Sequence, residues 1–463
     1  MTLSATASNR VHDIAIIGAG VVGCAVFREF TLAGLDCVLI ERDADIISGA
    51  SKANSALLHT GFDATPGTVE AACVRDGYRR YRQIHERMNL PLLETGALVV
   101  AWSEEQRAKL PGIVAQAHAN GVTDVFEIAA GAVQAREPGL GPGVAGGVWI
   151  PGEAVIDAWS APLGYALQGL LNGGTLLRNT EVTGGTLDDR VWTLTTATGP
   201  TIRAGIVINC AGNYGDLVEA IARPSPFAIT PRKGQFLVYD KPAYDLIRSI
   251  ILPVPTARTK GIVMTRTAYG NLLVGPTAED QAERRIATIE AATLEQLADA
   301  GRRMLPGLAA VPVTTAYAGL RPATQFKDYQ IEALPERRWI TIGGIRSTGL
   351  TGSLGIAALA AELYASQFGA LKPLADPLWP RLPNLTEELP RPSAQAGRSE
   401  IVCHCELVTR DEIVAALDGP LPAGSLGGLR RRTRCMMGRC QGFYCSRRVL
   451  ELAAPKIPGL LHA

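Results

Sequence analysis

The stretch Asp13-Ile-Ala-Ile-Ile-Gly-Ala-Gly-Val-Val-Gly23 decides the fold of this chain. Its first five residues predict a buried parallel strand, and the helical spacing of residues 24–33 predicts a helix directly after it. Gly18 allows the tight turn, Gly20 lets a pyrophosphate approach the backbone, and Gly23 lets the helix pack closely on the strand. The free N–H groups at the start of the helix would then face the phosphates of a dinucleotide.

A second strand is predicted at residues 35–40, and it ends at Glu41. An acidic side chain at this position can bind a ribose hydroxyl. The pair Glu41-Arg42, with no basic pocket nearby, favours a ribose diol over a 2′-phosphate. This pattern does not separate FAD from NAD, and a structural βαβ unit without a ligand remains the alternative.

Length and composition are those of a compact α/β enzyme. The chain has 463 residues, which at roughly 150 residues per domain suggests about three structural units. Apolar residues make up 47% and charged residues 19%, with 49 glycines, so the chain is not of the disordered class. The net charge of +1 argues against nucleic acid as a partner, because binding to the phosphate backbone needs a basic face.

The sequence predicts a cytoplasmic protein. Its longest apolar stretch, residues 14–27, is too short to span a bilayer and is interrupted by glycines. The first ten residues lack the basic start and apolar run of a secretory signal. Peripheral docking at the inner face of the cytoplasmic membrane, through a partner, stays open.

The part after residue 372 differs in composition. Residues 373–392 hold six prolines, which predicts an extended, semi-rigid connector over residues 373–398. The last 61 residues contain five of the nine cysteines: Cys403, Cys405, Cys435, Cys440 and Cys445. An odd total in a chain that looks cytoplasmic argues against a disulfide framework, so residues 399–463 are predicted to bind a metal centre.

Four of these cysteines form two close pairs. Cys403 and Cys405 are separated by one residue, and Cys440 and Cys445 by four, with 34 residues between the pairs. Four thiolates suit zinc or a [2Fe–2S] cluster. Zinc knuckles usually have gaps of two residues, so the spacing favours the cluster, with zinc or no metal as alternatives.

Three further segments carry a resemblance to a known family. Residues 49–62 resemble the second signature of the D-amino-acid-oxidase superfamily of FAD enzymes. Within it they look most like the glycerol-3-phosphate dehydrogenase and L-2-hydroxyglutarate dehydrogenase branches. Residues 207–216 are similar to the strand and turn that return to FAD, and residues 343–353 to the loop and helix start beneath the flavin ring. The segments occur in the order that the family has them.

The resemblance implies an α/β fold with two interleaved domains and FAD as cofactor. A Rossmann-like FAD-binding domain would comprise about residues 10–90, 150–220 and 335–372. An antiparallel-sheet substrate domain would comprise about residues 90–150 and 220–335, so that both lie within residues 10–372. The implied FAD-binding residues are Gly18, Gly20, Gly23, Glu41, Arg42, Ser51, Asn54, Ser55, Leu58, Val182, Ala211, Gly212, Gly344, Ile345, Arg346, Gly349, Leu350 and Thr351.

Two candidate catalytic residues follow from the same resemblance. His59 lies in the segment that passes the flavin ring, where a neutral imidazole could accept the proton of an alcohol. The alternative is a histidine that only contacts flavin or backbone. Arg321 resembles the arginine that grips the substrate anion, whereas the alternative is a surface arginine before a turn. Lys233 and Lys260 could add a second positive group, and Arg346 could face flavin or substrate.

Residues 434–445 resemble the bacterioferritin-associated-ferredoxin-like domain, which implies a small helical domain that binds a [2Fe–2S] cluster. Such a domain also occurs at the C-terminus of some glycerol-3-phosphate dehydrogenase subunits. Comparison with that domain favours Cys403, Cys405, Cys440 and Cys445 as ligands and leaves Cys435 as a fifth thiol. Seven nearby arginines could offset the charge of the cluster, form a solvated basic face, or dock an acidic partner.

The predicted function is an FAD-dependent dehydrogenase that oxidises a secondary alcohol of a small anionic substrate. Glycerol 3-phosphate ranks first, followed by a 2-hydroxyacid and then by an amino acid or another amine. Because a flavin takes two electrons and a [2Fe–2S] cluster passes one at a time, we expect export of electrons to a quinone-linked subunit or another acceptor protein. The alternative from another class is a non-catalytic electron-transfer subunit.

Overall fold

The computed structural model describes residues 10–255, 261–387 and 389–460. Its α-helices are α1 (Val21–Leu32), α2 (Val69–Met88), α3 (Glu104–Arg107), α4 (Leu110–Ala119), α5 (Ala130–Arg136), α6 (Ser160–Leu171), α7 (Gly215–Glu219), α8 (Ala291–Met304), α9 (Gly349–Gln367), α10 (Arg410–Leu417), α11 (Leu426–Thr433) and α12 (Ser446–Ala453).

The strands are β1 (Val11–Ile17), β2 (Cys37–Ile40), β3 (Leu57–Leu58), β4 (Leu92–Leu93), β5 (Ala97–Ala101), β6 (Phe126–Ala129), β7 (Gly146–Ile150), β8 (Ala154–Ile156), β9 (Thr175–Leu177), β10 (Val182–Asp188), β11 (Val191–Thr196), β12 (Ile202–Asn209), β13 (Ile229–Tyr239), β14 (Ile250–Pro253), β15 (Val263–Arg266), β16 (Leu272–Gly275), β17 (Glu279–Asp280), β18 (Val313–Thr324), β19 (Gln330–Leu334), β20 (Trp339–Gly343), β21 (Ile401–Cys403) and β22 (Val408–Thr409).

The first sheet is built around β1, as the opening stretch predicts. Five parallel strands follow the order β9-β2-β1-β12-β20, with β19 antiparallel on β20 and the hairpin β10–β11 on the first half of β12. Side chains alternate along β1, so Ile14 and Ile16 pack in the same core as α1 and α9. Ala15 and Ile17 pack on the other face with Trp192 of the hairpin. A strand buried on both faces explains the run of apolar residues before Gly18.

The second sheet is the predicted substrate sheet. Its strands follow the order β18-β13-β16-β15-β14-β5-β7-β6, and β17 also pairs with β13. Every described pair is antiparallel except β14 with β5. Two separate parts of the chain, residues 97–150 and 229–324, supply the strands, so the two sheets are interleaved in sequence as expected. The strand β19 belongs to the first sheet, although it falls within the range predicted for the substrate domain.

The proline-rich segment is extended and lies on both sheet domains. The Leu382 N–H donates to the Met88 carbonyl at 2.9 Å, and the Glu387 N–H donates to the Ala268 carbonyl at 3.2 Å. Leu382 and Leu385 are buried. A connector that is hydrogen-bonded and partly buried along its length is a fixed strap rather than a free tether.

The last described residues form a small helical domain with its own core. The two-stranded ribbon β21–β22 leads into α10, which begins with a capping box between Thr409 and Glu412. Ile413, Leu429 and Val449, from α10, α11 and α12, meet in a common core. No helix in the described parts of the chain is both long and apolar enough to cross a membrane.

Candidate functional site

A cavity of about 900 Å³ lies at the carboxyl ends of β1, β2, β12 and β20 and extends to β18 of the second sheet. Ligands of open parallel sheets bind at this edge. Most of the residues implied by the resemblance line it: Gly18, Gly20, Glu41, Arg42, Ser51, Asn54, Ser55, Val182, Ala211, Gly212, Gly344, Ile345, Arg346, Gly349, Leu350 and Arg321. Gly23, Leu58, His59 and Thr351 are not part of its wall.

Two of the glycines are sterically required. Gly18 has φ +102°, and a Cβ atom there would lie 2.6 Å from the Cys210 carbonyl oxygen. A Cβ atom on Gly23 would lie 1.8 Å from the Gly18 carbonyl oxygen. Gly23 therefore acts through the contact between helix and strand, as the spacing predicts, and not as a wall residue.

Two helix N-termini open onto the cavity. The N-cap residues Gly20 of α1 and Thr348 of α9 form no side-chain capping hydrogen bond. The Val21 N–H is bonded to Ser51 Oγ at 2.9 Å, while Gly349 and Leu350 at the start of α9 line the wall. The positive ends of the two helix dipoles favour negative charge in this part of the cavity. These features fit the pyrophosphate and the flavin ring of FAD.

The far end of the cavity is marked by Glu41. Its two carboxylate oxygens accept the N–H groups of Ala19 and Asp43, each at 2.9 Å. Burial raises the pKa of Glu41, and these two N–H groups act against that rise. The Arg42 guanidinium lies over the Tyr214 ring at 3.8 Å. The arrangement fits a ribose and its base, and Tyr214 was not predicted from the sequence.

Arg321 lies within β18, directly opposite Arg232 of β13. Its guanidinium donates to the carbonyl oxygens of Arg232, Lys233 and Thr277 at 3.3, 3.2 and 2.6 Å. Burial, followed by repulsion from Arg232, lowers the pKa of Arg321 to about 10, so the group stays charged at neutral pH. A guanidinium has five N–H groups, which leaves those of Nη1 for a ligand. The alternative of a surface arginine before a turn does not hold.

The other basic candidates have different surroundings. The Lys233 ammonium pairs with Glu290 and, at 3.1 Å, with Glu279, and it is not in the cavity wall. Arg346 does line the cavity, where its Nη2 donates to the Lys327 carbonyl at 2.7 Å. Lys260 lies outside the described residues.

His59 is held from two sides, and it is not among the residues that line the cavity. Its backbone N–H donates to Thr351 Oγ1 at 3.0 Å, and its Nδ1 lies 2.8 Å from Glu153 Oε2. Glu153 is fully buried and also accepts the N–H and hydroxyl of Thr60, at 2.6 and 2.9 Å. A buried carboxylate in this position fixes the orientation of the imidazole ring. Glu153 follows β7, 94 residues from His59, and no local pattern pointed to it.

Two arginines that were not predicted cross from the second sheet domain to the cavity. Arg284 binds both carboxylate oxygens of Asp216, at 2.5 and 2.9 Å. Arg285 pairs with Asp43 at 3.0 Å, and both arginines are wall residues. Arg284 ties the substrate domain to α7, which follows β12, and Arg285 ties it to the loop after β2.

The four predicted cluster ligands meet two by two. The thiol of Cys405 lies next to that of Cys440, and the thiol of Cys403 lies next to that of Cys445. Across residues 10–255, 261–387 and 389–460, no three potential ligands converge on a position for a single metal ion. Paired thiols fit a cluster with two irons, each of which takes two thiolates. Cys435 is buried beside them, and burial raises its pKa to about 11.

The arginines of the small domain mostly bind other parts of the chain. Arg432 forms a two-point contact with Asp45, at 2.8 and 2.9 Å, in the loop after β2. The Arg431 Nη2 donates to the Ile46 carbonyl at 3.2 Å, and the Arg434 guanidinium lies over the Tyr269 ring at 3.9 Å. All three arginines are buried, so the alternative of a solvated basic face is wrong for them. They dock the small domain on both larger domains.

Comparisons with known proteins agree with this arrangement. A protein-family model described as FAD dependent oxidoreductase matches residues 13–363. A second model, described as BFD-like [2Fe-2S] binding domain, matches residues 401–454.

Relatives and solved structures give the same result. The chain is 30% identical over 457 residues to "Glycerol 3-phosphate dehydrogenase" of Caloramator mitchellensis, covering 96% of this chain and 95% of that protein. It is 26% identical to a subunit of the anaerobic glycerol-3-phosphate dehydrogenase of Escherichia coli (strain K12), covering 96% and 89%. The structure of dithionite-reduced L-alpha-glycerophosphate oxidase from Mycoplasma pneumoniae with FAD bound superimposes with a TM-score of 0.74 at 27% identity, covering 80% of this chain and 97% of that one.

The first family match spans well over half of the chain, and the second spans the docked domain with the paired cysteines. Both cofactors implied by the sequence, FAD and a [2Fe–2S] cluster, are confirmed by these matches, as is the mixed α/β fold. The chain therefore belongs to the FAD-dependent oxidoreductase family and carries, after the oxidoreductase part, a [2Fe–2S]-binding domain.

Proposed function

We propose that this protein oxidises the secondary alcohol of glycerol 3-phosphate to dihydroxyacetone phosphate and exports the electrons through its [2Fe–2S] domain. When bound, FAD supplies a two-electron acceptor and the cluster a one-electron carrier. Two relatives named for glycerol 3-phosphate match this chain over nearly its full length, which supports this substrate over a 2-hydroxyacid or an amine.

Arg321 carries the proposal. It places a partly buried positive charge in the cavity wall, and the nearby Asp280 carboxylate is engaged by Arg232 at 2.6 Å. The two N–H groups of its Nη1 can form a two-point contact with a phosphate. Such a contact would bind the substrate and fix its carbinol carbon relative to the flavin end of the cavity.

His59 would accept the hydroxyl proton of the alcohol. Its ring orientation is set by Glu153 at 2.8 Å and its backbone by Thr351 at 3.0 Å. An imidazole held in one orientation suits the role of a base at neutral pH. A relay subunit would need neither this base nor the anion-binding Arg321.

Anaerobic bleaching of the flavin tests the proposal directly. The holoenzyme is mixed with glycerol 3-phosphate, L-2-hydroxyglutarate or an amino acid, and absorbance of the oxidised flavin is followed. We expect glycerol 3-phosphate to bleach it fastest, and Arg321→Ala to need a much higher substrate concentration. A matched control is Arg302→Ala, because Arg302 is an exposed helix residue paired with Asp299 at 2.7 Å.

Each other outcome contradicts a stated part of the proposal. If the hydroxyacid or the amino acid bleaches the flavin faster, that compound class replaces glycerol 3-phosphate as the proposed substrate. No bleaching by any of the three compounds would favour a non-catalytic relay. Equal substrate requirements in Arg321→Ala and Arg302→Ala would show that the anion binds elsewhere in the cavity.

A further inference from the structure

The small domain exposes two neighbouring aromatic side chains. Phe443 is 81% exposed and Tyr444 is 80% exposed, more than any other large apolar side chain in the described parts of the chain. Their rings contact each other edge to face, with centroids 5.1 Å apart. Two large aromatic surfaces held in water are unfavourable for the isolated protein, and exposed aromatic groups of this kind mark binding surfaces.

The pair sits on the loop between two predicted cluster ligands, Cys440 and Cys445. Gln441 and Gly442 at the start of this loop have positive φ angles, +49° and +93°. The Phe443 N–H donates to the Cys440 carbonyl at 3.0 Å, and the N–H groups of Cys445 and Ser446 donate to the Gly442 carbonyl at 3.1 and 2.9 Å. Any molecule that covers the two rings would therefore lie on the loop that wraps a cluster ligand.

The shape of this surface fits a protein rather than a small molecule. Small ligands need a concave site that encloses them, whereas these side chains project from a turn. Leu407, two residues after Cys405, is also 48% exposed, so an exposed apolar side chain also lies near the first cysteine pair of the sequence. Projecting aromatic residues are the anchors that protein partners bury in their own pockets.

Charge contributes little at this surface. Arg447 pairs with Glu451 at 3.0 Å, and Arg448 pairs with Glu400 and Glu451 at 3.1 and 3.2 Å. These pairs nearly neutralise the area next to the loop. The attraction for a partner would come from the aromatic side chains and depend only weakly on salt.

We propose that Phe443 and Tyr444 form the docking surface for the redox protein that takes electrons, one at a time, from the [2Fe–2S] cluster. The partner would be a one-electron acceptor protein with an apolar pocket for the two rings. This inference rests on the proposed function, because it requires that substrate electrons leave through the cluster.

The test separates docking from catalysis. Purified holoenzyme, either wild type or Phe443→Ser/Tyr444→Ser, is added with glycerol 3-phosphate to an extract of a host strain lacking this protein, and reoxidation of the enzyme is followed. Ferricyanide replaces the extract in a parallel assay, since a small acceptor needs no docking surface. Phe126→Ser is the matched control, because Phe126 is 48% exposed on β6 of the substrate sheet. Tyr444→Phe keeps the ring and should behave as wild type.

We compare the enzyme concentration that gives half-maximal reoxidation in the extract. For the double variant we expect this concentration to be about thirtyfold or more above that of the wild type, because at least one aromatic anchor of the interface is lost. Its ferricyanide rate and visible spectrum should stay within about twofold of the wild type, since exposed side chains contribute little to folding. Trypsin treatment of the extract should abolish reoxidation of the wild type.

Three outcomes would overturn the docking surface: equal behaviour of double variant and wild type in the extract, an equal loss in Phe126→Ser, or full activity of a trypsin-treated extract. The last would point to a quinone as the direct acceptor. If the wild-type enzyme does not reduce ferricyanide when glycerol 3-phosphate is supplied, the proposed function is refuted instead.

Discussion

Replacing Asp45 by asparagine should loosen the [2Fe–2S] domain from the rest of the molecule. Asp45 is 1% exposed, and from the small domain it accepts two hydrogen bonds of the Arg432 guanidinium and one, at 3.0 Å, of the Gly424 N–H. The fit is close, because a Cβ atom on Gly428 would lie 1.6 Å from Asp45 Oδ2. Asparagine keeps the shape but leaves the buried Arg432 charge without a counter-charge.

Breaking a buried ion pair by removing one partner costs about 3–5 kcal/mol. If that cost falls on docking, the undocked fraction rises by about a hundredfold to a few thousandfold, since each 1.4 kcal/mol is a factor of ten. Hydrogen exchange of the α11 amides should then accelerate, while exchange in β1 stays unchanged. Substrate should still bleach the flavin at the wild-type rate, whereas reduction of the cluster should slow.

A surface pair in the same domain provides the control. Asp418 pairs with Lys456 at 2.7 Å, and both side chains are about half exposed, so Asp418→Asn should cost no more than about 1 kcal/mol. Adding Arg432→Met to Asp45→Asn removes the unpaired charge and should restore part of the protection. Unchanged exchange in α11 of Asp45→Asn, or an equal increase in Asp418→Asn, would refute the reasoning.

Three further predictions concern the active site and the cluster. Arg321→Lys keeps the charge but loses the two-point contact with the phosphate. The contact is worth about 1.5–3 kcal/mol, so substrate binding should weaken by roughly tenfold to a hundredfold. If a titration gives wild-type affinity, Arg321 is not the residue that binds the phosphate. His59→Asn should slow flavin reduction at saturating substrate by about a hundredfold to ten thousandfold with little change in affinity, and Glu153→Gln should slow it less. If both variants reduce the flavin at the wild-type rate in stopped-flow experiments, His59 is not the base. Purified protein should contain about two irons and two acid-labile sulfides per chain. Cys440→Ser should lose this iron, whereas Cys435→Ser should keep it. If iron analysis gives the opposite result, Cys435 replaces Cys440 as a predicted ligand.

The first sheet could be predicted because its signals are local. Gly18 meets a steric limit at the end of the neighbouring strand β12, and Gly23 meets one within a few residues, at 1.8 Å from the Gly18 carbonyl oxygen. The strands predicted at residues 13–17 and 35–40 are observed as β1 (Val11–Ile17) and β2 (Cys37–Ile40), which are parallel neighbours in one sheet. The order of the segments along the chain, together with the resemblance, was enough to predict the interleaved second sheet.

The supporting contacts of the site could not be predicted, because they join residues far apart in sequence. Glu153 reaches His59 only because β3 and β8 pair, with Leu57 opposite Val155. Similarly, Asp45 and Arg432 are 387 positions apart, and the arginine run gave no sign of what it would bind. The proposed roles of His59 and Arg321 and the predicted domain boundaries remain predictions.

The strap formed by the proline-rich segment limits how the [2Fe–2S] domain could be transferred to another enzyme. Trp379 lies under the Arg87 guanidinium at 4.2 Å, and the Leu382 N–H is bonded to the carbonyl of Met88, the last residue of α2. A fusion of residues 399–460 to another flavoenzyme would transfer the cluster-binding domain without the surface of α2 on which the strap lies. A chimera that keeps the docked arrangement would also need the matching surface of α2 and the acidic loop after β2, because the strap and Arg432 bind there.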